Sequence, residues 1–191
     1  MALRVLATAR DSGSVYQNRA FIRICLDEDY QIVFRVIVKS PAVKIFSEQN
    51  IEGLSVCVNQ PIKIVKSRKQ LGHIFNEYPP DFVLLGLSGN GYGIDEIMRE
   101  YSSDHNILCG VIQDYRGSLG DHSKSNLPDI IFCMSKDAMT ITEAISDSKA
   151  RCVVTGSPEY QLYNIKNWSS QRNMEHKNII LLLGNRIIYL A

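Results

Sequence analysis

Short apolar runs alternate with longer amphipathic stretches along almost the whole chain, and this alternation restricts the fold more than any other feature. The run LRVLATA (3–9) is followed by a stretch with apolar residues at helical spacing, and the run QIVFRVIVK (31–39) comes next. A strand that is apolar at nearly every position is buried on both faces, which is typical of a parallel sheet covered by helices. The pattern therefore predicts an α/β protein: a Rossmann-like, doubly wound, mainly parallel sheet of about seven strands, with helices on both faces.

The bulk composition is that of an ordinary globular protein and restricts its partners. A chain of 191 residues, 45% of them hydrophobic, is long enough for one α/β domain with a substantial core. The formal net charge of +1 creates no overall field that would attract nucleic acid or an anionic membrane. No apolar segment approaches the length of a membrane span. We therefore expect a partner that is neither nucleic acid nor a lipid bilayer.

The cysteines predict a reduced, metal-free protein. They are scattered, most of them lie inside apolar runs, and no two have the spacing of metal ligands. Such cysteines are typical of core thiols in a cytoplasmic protein, so we expect neither a metal nor a cofactor. The five are Cys25, Cys57, Cys109, Cys133 and Cys152.

The alternating pattern ends before the chain does. Residues 1–165 are predicted to form one Rossmann-like domain, 166–177 a polar linker, and 178–191 an apolar tail with the sequence NIILLLGNRIIYLA. Exposed apolar strands promote aggregation. If the chain is a non-catalytic binding or interaction module, we expect this tail to complete a sheet edge or to pair with a second copy of the chain.

The loop after the first apolar run is the first candidate for ligand binding. In a doubly wound sheet, ligands lie outside the carboxyl ends of the strands. Ser12, Gly13 and Ser14 follow Asp11 in this loop, and a helix start with a glycine allows close approach of an anion to the backbone. Asp11 opposes direct binding of a phosphate, and Ser12 or Ser14 could simply cap the helix. The spacing leaves both interpretations open.

Two further loops carry candidate residues. The sequence LGLSGNGYGID contains four glycines at a strand-to-helix turn, which favours a ligand-facing loop at Ser88, Gly89, Asn90 and Gly91, although a flexible capped turn is the alternative. The loop QDYRGSLGDHS follows a later strand. An acid, an aromatic ring, a guanidinium and an imidazole on this loop could orient a sugar hydroxyl or transfer a proton. Its candidate residues are Asp114 and His122 for catalysis, and Tyr115 and Arg116 for binding.

Six segments occur along residues 3–163 in an order that is more specific than any one of them. The most informative pair is PDIIFCMS followed by VVTGSPEY. The segments are DSGSV (11–15), SPAVKIFSEQNI (40–51), PPDFVLLGLSGNGYGIDE (79–96), NILCGVIQDYRGS (106–118), LPDIIFCMSKDAM (127–139) and CVVTGSPEY (152–160).

This ordered set resembles the N-terminal domain of GT-B glycosyltransferases and of UDP-N-acetylglucosamine 2-epimerase-like proteins, within a poorly characterised branch. The resemblance implies that the three loops face a cleft between two Rossmann-like domains and hold a sugar or its acceptor. It also implies that a strand like KNIILLLG (177–184) opens a second, donor-binding domain, which would supply most contacts to the nucleotide.

The resemblance implies a glycosyltransferase-like, acceptor-side domain of a nucleotide-sugar-dependent enzyme that is incomplete and inactive alone. Its expected partners are a nucleotide sugar, a sugar acceptor, and either a C-terminal half or a second copy bound through residues 178–191. Two alternatives remain open: a non-catalytic α/β binding or interaction module, and a nucleotide-sugar 2-epimerase-like protein.

Overall fold

The computed structural model describes residues 2–38, 42–47, 55–57, 67–87, 92–117, 119, 127–147, 149–162, 179–183 and 186–190. A seven-stranded sheet with the order β3-β2-β1-β4-β5-β6-β7 forms its centre, and all neighbouring strands are parallel. The predicted Rossmann-like α/β fold is therefore confirmed. The strands are β1 (Leu3–Ala9), β2 (Ile32–Val38), β3 (Ser55–Cys57), β4 (Phe82–Leu85), β5 (Cys109–Ile112), β6 (Ile130–Cys133) and β7 (Arg151–Val154).

The strand order reverses at the centre of the sheet. Ala7 of β1 pairs with Val36 of β2 on one side and with Leu84 of β4 on the other. The chain moves outward in one direction from β1 to β3 and in the opposite direction from β4 to β7. A crevice for a ligand opens at such a reversal, outside the carboxyl ends of the strands. Because the strands are parallel, the segments that follow β1, β4 and β5 all start at this edge.

Helices cover both faces of the sheet. Ile22 and Phe46 lie in the core on one face, and Leu71, Met98 and Ala138 lie in the core on the other. The first face belongs to α1 and α2, with α6 packed against α1, and the second belongs to α3, α4 and α5. The helices are α1 (Ser12–Asp27), α2 (Ala42–Ser47), α3 (Ser67–Glu77), α4 (Ile94–Asp104), α5 (Lys136–Ile145) and α6 (Pro158–Leu162).

The first helix begins earlier than its apolar spacing predicts. The sequence pattern places the start at Val15, whereas α1 begins at Ser12. The cap is Asp11, whose backbone is extended and whose carboxylate accepts a hydrogen bond from the Ser14 N–H at 3.1 Å. The alternative that Ser12 or Ser14 caps the helix is therefore wrong, since both lie within the first turn.

The apolar tail contains two strands, β8 (Ile179–Leu183) and β9 (Arg186–Leu190), which pair antiparallel. The predicted linker at 166–177 lies outside the described residues. The division into domain, linker and tail therefore stays a prediction. Within the described ranges, no helix combines the length and the apolar character needed to cross a membrane.

Candidate functional site

The N-terminus of α1 is capped by a carboxylate from the chain itself. Ser14 is buried, and its hydroxyl donates to Asp11 Oδ1 at 3.0 Å, beside the backbone bond that caps the helix. Ser12 is exposed and Gly13 half-buried. The SGS turn is therefore the first turn of a helix whose positive end already lies against a negative charge.

A second carboxylate reaches the same helix end from a distant part of the sequence. Asp114 directly follows the buried Gln113 at the end of β5, and its side chain lies against the first turn of α1. A Cβ added to Gly13 would lie 2.5 Å from Asp114 Oδ2 and 3.8 Å from Asp11 Oδ1. Glycine allows this approach because it has no side chain. Asp11 and Asp114 together surround the N-terminus of α1 with negative charge.

A buried aspartate of α4 connects the two central strands at their carboxyl ends. Asp95 is 2% exposed, and its Oδ1 accepts hydrogen bonds from the Thr8 hydroxyl at 2.5 Å and from the Gly86 N–H at 3.1 Å. A Cβ at Gly86 would lie 2.9 Å from the same carboxylate oxygen and 3.0 Å from the Thr8 carbonyl oxygen. Asp95 therefore fixes the spacing of β1, β4 and α4 where the strand order reverses.

Arg10 holds the two acidic residues at the start of α4. Its Nε lies 3.9 Å from Asp95 Oδ2, and its Nη2 lies 3.6 Å from Glu96 Oε1. Glu96 Oε2 in turn accepts a hydrogen bond from the Gly93 N–H at 2.6 Å. A Cβ at Gly93 would lie 2.8 Å from Arg10 Cδ, so the arginine passes directly over this glycine. The ion pairs attach the segment after β1 to the first turn of α4.

A second arginine lies behind this edge and does not reach its surface. Arg99 is 5% exposed and, with Asp95 and Gly86, lines a cavity of about 10 Å³, which is the size of one water molecule. Burial lowers the pKa of the Arg99 guanidinium, and the charge of Glu96 opposes this effect.

The charged groups described around the reversal point are predominantly acidic. Two arginines and four carboxylates lie here, but Asp95, Glu96 and Arg99 are all buried. The partly buried groups are Arg10, Asp11 and Asp114, and the two carboxylates at the N-terminus of α1 can accept hydrogen bonds from hydroxyl donors. The six groups are Arg10, Asp11, Asp95, Glu96, Arg99 and Asp114.

Exposed polar and aromatic groups follow Asp114 on the same loop. Tyr115 is 61% exposed, and Arg116 Nη2 lies 4.0 Å from Asp137 Oδ2 at the surface. Gly117 turns the chain with a φ of +73°, and a Cβ there would also lie 2.9 Å from Ile141 of α5. This turn keeps the ring of Tyr115 and the guanidinium of Arg116 at the carboxyl edge, where a tyrosine offers both an apolar face and a hydroxyl.

A polar contact joins the segment after β7 to α1. The buried Ser157 hydroxyl donates to Gln17 Oε1 at 3.0 Å, and Gln17 Nε2 donates to Glu159 Oε2 at 3.4 Å. The segment VVTGSPEY therefore belongs to the same edge as the acidic crevice, and it starts α6 beside α1.

The structure brings together only some of the residues singled out from the sequence. Gly13 and Asp114 are in direct proximity, and Tyr115 and Arg116 continue from Asp114. Ser12 and Ser14 lie in the first turn of α1, and their role in binding stays a prediction. Five further candidates lie outside the described residues, so their roles stay predictions as well. They are Ser88, Gly89, Asn90, Gly91 and His122.

Sequence reasoning missed the buried polar network at the reversal point. Thr8 is a polar residue inside an apolar strand, and Asp95 and Glu96 directly follow the glycine-rich loop. These are weak signals, because a threonine is common in strands and acidic residues are common in the first turn of a helix. Among the residues that the structure describes, no group of three or more His, Cys, Asp or Glu could hold a metal ion.

The fold and the crevice define a Rossmann-like α/β protein with a polar, acidic site at the point where its strand order reverses. No family model matches the sequence, and the curated proteins contain no match either. Solved structures do match. The chain is similar to S. aureus MnaA in a co-structure with UDP, with a TM-score of 0.56 at 16% identity. It is also similar to the UDP-GlcNAc 2-epimerases of Methanocaldococcus jannaschii (TM-score 0.53, 13% identity) and Rickettsia bellii (TM-score 0.55, 11% identity).

These similarities confirm the expected fold. They cover 82%, 91% and 88% of this chain but only 44%, 54% and 48% of the respective proteins. The chain therefore has the fold of a part of these three structures and spans about half their length.

Proposed function

We propose that this chain is the sugar-binding, acceptor-side half of a nucleotide-sugar-dependent enzyme of the glycosyltransferase type. In this proposal the carboxyl edge of the sheet binds uncharged hydroxyl groups. A second domain binds the diphosphate of the donor, so the chain alone is inactive in transfer.

The arrangement of Asp11 and Asp114 at the N-terminus of α1 is the observation that carries the proposal. In many doubly wound proteins this helix end binds a phosphate through its free N–H groups. Here Asp11 accepts from the Ser14 N–H, and Asp114 lies against Gly13. Carboxylates at this position accept hydrogen bonds from hydroxyl groups and repel phosphates. The arrangement therefore supports a sugar or an acceptor alcohol at this edge.

Asp114 is the proposed general base. Its position at the end of β5, against the start of α1, would let it accept the proton of an acceptor hydroxyl. That oxygen would bond to the sugar carbon while the bond from this carbon to the diphosphate of the donor breaks, and the nucleoside diphosphate would leave with the bonding electrons. Tyr115 would pack its ring against the apolar face of a sugar. Arg10 and Asp95 act as positioning residues, because their contacts hold β1 and α4 in place beneath the crevice.

Nuclear magnetic resonance titration of the whole chain tests this proposal. We expect N-acetylglucosamine at millimolar concentration to shift the amide signals of Gly13, Asp114 and Tyr115. UDP at the same concentration should leave them unchanged. Asp114→Asn should abolish the sugar-induced shifts, and Asp137→Asn, an exposed aspartate on the neighbouring helix, should keep them. Shifts caused by UDP at Gly13 would contradict the proposal, and the absence of any shift would favour the non-catalytic module.

Epimerisation is the second candidate function, because proteins described as UDP-GlcNAc 2-epimerases share the fold. An epimerase changes its substrate without an acceptor, whereas a transferase needs one. The two activities can be distinguished by incubating the chain with UDP-N-acetylglucosamine alone and monitoring the anomeric proton signals by nuclear magnetic resonance. Appearance of the C2 epimer would establish the epimerase and overturn the proposal of an inactive acceptor-side half.

A further inference from the structure

The topology leaves one part of the sheet without a helical cover in the described residues. Right-handed crossovers from β1 to β3 place α1 and α2 on one face, and those from β4 to β7 place α4 and α5 on the opposite face. On this face Leu84 and Ile112 are buried in the same core as α1, whereas Phe82 and Phe132 are only partly buried. Among the described elements, α6, which has five residues, is the one that adjoins this part beyond α1. A helix of that length spans about 7.5 Å, which is less than the roughly 13 Å of a four-residue strand.

An apolar groove occupies this part of the first face. It has a volume of about 550 Å³ and runs between the sheet and α1, from the amino end of β1 to the start of α6. None of the described residues that line it is charged. Apolar surfaces of this kind mark a contact with another apolar element. Phe82, Leu84, Ile112 and Phe132 form its floor, and Phe21 and Ile24 of α1 form one wall.

The same chain contains an apolar element that lacks a core of its own. Nine of the ten residues in β8 and β9 are apolar, and Arg186 is the exception. Because alternate residues of a strand belong to opposite faces, the sequence leaves neither face of this two-stranded sheet polar. A two-stranded hairpin is at most marginally stable in water unless it packs against something.

We propose that the β8–β9 hairpin docks into this groove as a lid on the first face of β4, β5 and β6. A strand of five residues is about 17 Å long, and two paired strands lie about 4.8 Å apart, so the hairpin is large enough to cover the partly exposed rings of Phe82 and Phe132. Sheets pack face to face at about 10 Å, which is the thickness of the helical layer that the lid continues. The uncharged lining of the groove suits the apolar hairpin, whose one charge, Arg186, lies at the end of a strand next to the turn.

The length of the connection favours docking within one chain over docking of a second copy. The 16 residues between Leu162, at the end of α6, and Ile179 can span at most about 55 Å. Pro158 and Gln161 of α6 line the groove, so the connection starts at its edge. A tethered segment of this length has an effective concentration of about a millimolar, roughly a thousandfold above a protein at micromolar concentration.

Photo-crosslinking from the floor of the groove tests the docking. Phe132 is replaced by the photoreactive analogue p-benzoylphenylalanine in the full chain, and the irradiated protein is digested and analysed by mass spectrometry. The expected result is an intramolecular cross-link to the peptide that contains residues 179–190. A cross-linked dimer, or cross-links that avoid this peptide, would overturn the proposal.

Two further variants make the test specific. The same analogue in place of Phe21, on the wall of the groove, should give the same cross-link if the first variant folds poorly. In place of Ile145, which is 45% exposed on α5 at the opposite face, it should give none to residues 179–190. An equal yield from Ile145 would show unspecific contact and would also overturn the docking.

Discussion

Replacement of Asp95 by alanine should destabilise the protein far more than an ordinary loss of a surface charge. The change removes the acceptor of the buried Thr8 hydroxyl and one of the two acceptors of the Gly86 N–H, which keeps its bond to Thr8 Oγ1 at 3.3 Å. A buried donor left without a partner costs about 1–3 kcal/mol. Arg10 keeps Glu96 as a partner and is partly in contact with solvent, so its contribution is small. Together with the lost interaction with the helix dipole, we therefore expect a loss of about 2–3 kcal/mol, which corresponds to a fall in Tm of roughly 4–12 °C for a chain of this size.

Asp137→Ala provides a matched control. Asp95 and Asp137 each occupy the second position of a helix, so both lose the same favourable interaction with the helix dipole, about 0.3–1 kcal/mol. The side chain of Asp137 is 78% exposed, and its ion pair with Arg116 is long. The difference between the free energies of unfolding of the two variants therefore gives the contribution of the buried hydrogen bonds of Asp95.

Urea unfolding followed by circular dichroism measures both variants, with the m-value as a check that the unfolded state is unchanged. Free energies of unfolding that agree within about 0.5 kcal/mol would refute the role assigned to Asp95. A double-mutant cycle with Thr8→Val should also show a coupling of at least about 1 kcal/mol, because the two side chains share one hydrogen bond.

Three further changes test other parts of the edge. Gly13→Ala should change the free energy of unfolding by less than about 1 kcal/mol, since the added Cβ meets the flexible end of the Asp114 side chain. The variant should nevertheless abolish the sugar-induced amide shifts. A loss of both stability and shifts would show that Gly13 serves only the fold. Ser157→Ala should cost about 1–2 kcal/mol and speed amide hydrogen exchange in α6, because it removes the buried bond to Gln17; unchanged exchange would contradict that contact. Burial raises the pKa of Cys109 to about 12. As the pH rises, the thiol therefore ionises in the unfolded protein before it ionises in the folded one, and its contribution to the free energy of unfolding is lost between about pH 9 and 12. Between pH 9 and 11, the free energy of unfolding of Cys109→Ala, measured by urea titration, should therefore fall less steeply with pH than that of the unchanged protein. The difference in slope should reach up to about 1.4 kcal/mol per pH unit, and an unchanged slope would exclude this ionisation.

The strands could be predicted from the sequence because each one carries its own signal. Segments such as FVLL and CGVI carry no polar side chain and are buried at nearly every position, as burial on both faces of a parallel sheet requires. The ends of the helices were harder to predict. Serine and aspartate compete for the cap of α1, and the choice of Asp11 depends on one hydrogen bond to Ser14.

The candidate site could be predicted only as an edge of the sheet. The contact between Gly13 and Asp114 joins residues about a hundred positions apart, and no local pattern encodes it. Asp95 looks in the sequence like any acidic residue in the first turn of a helix. Its burial depends on Thr8 and Gly86, which reach it only after the strands pair. Tertiary contacts therefore determine which of the polar residues at this edge are structural and which face the crevice.

Electrostatic repulsion by Asp11 and Asp114 disfavours a phosphate at the N-terminus of α1 more than the helix end favours it. A helix end stabilises an anion by about 0.3–1 kcal/mol, and by about 2 kcal/mol when partly buried. A unit negative charge about 4 Å from a phosphate costs about 4 kcal/mol at an effective dielectric constant of 20, and Asp11 and Asp114 would supply two such charges. The repulsion exceeds the attraction of the helix several-fold, so a phosphate at this helix end is disfavoured. A sugar hydroxyl avoids this cost and can donate to either carboxylate. We therefore expect raised ionic strength, which screens charge, to weaken sugar binding little, since the interaction joins a neutral donor to a partly buried acceptor.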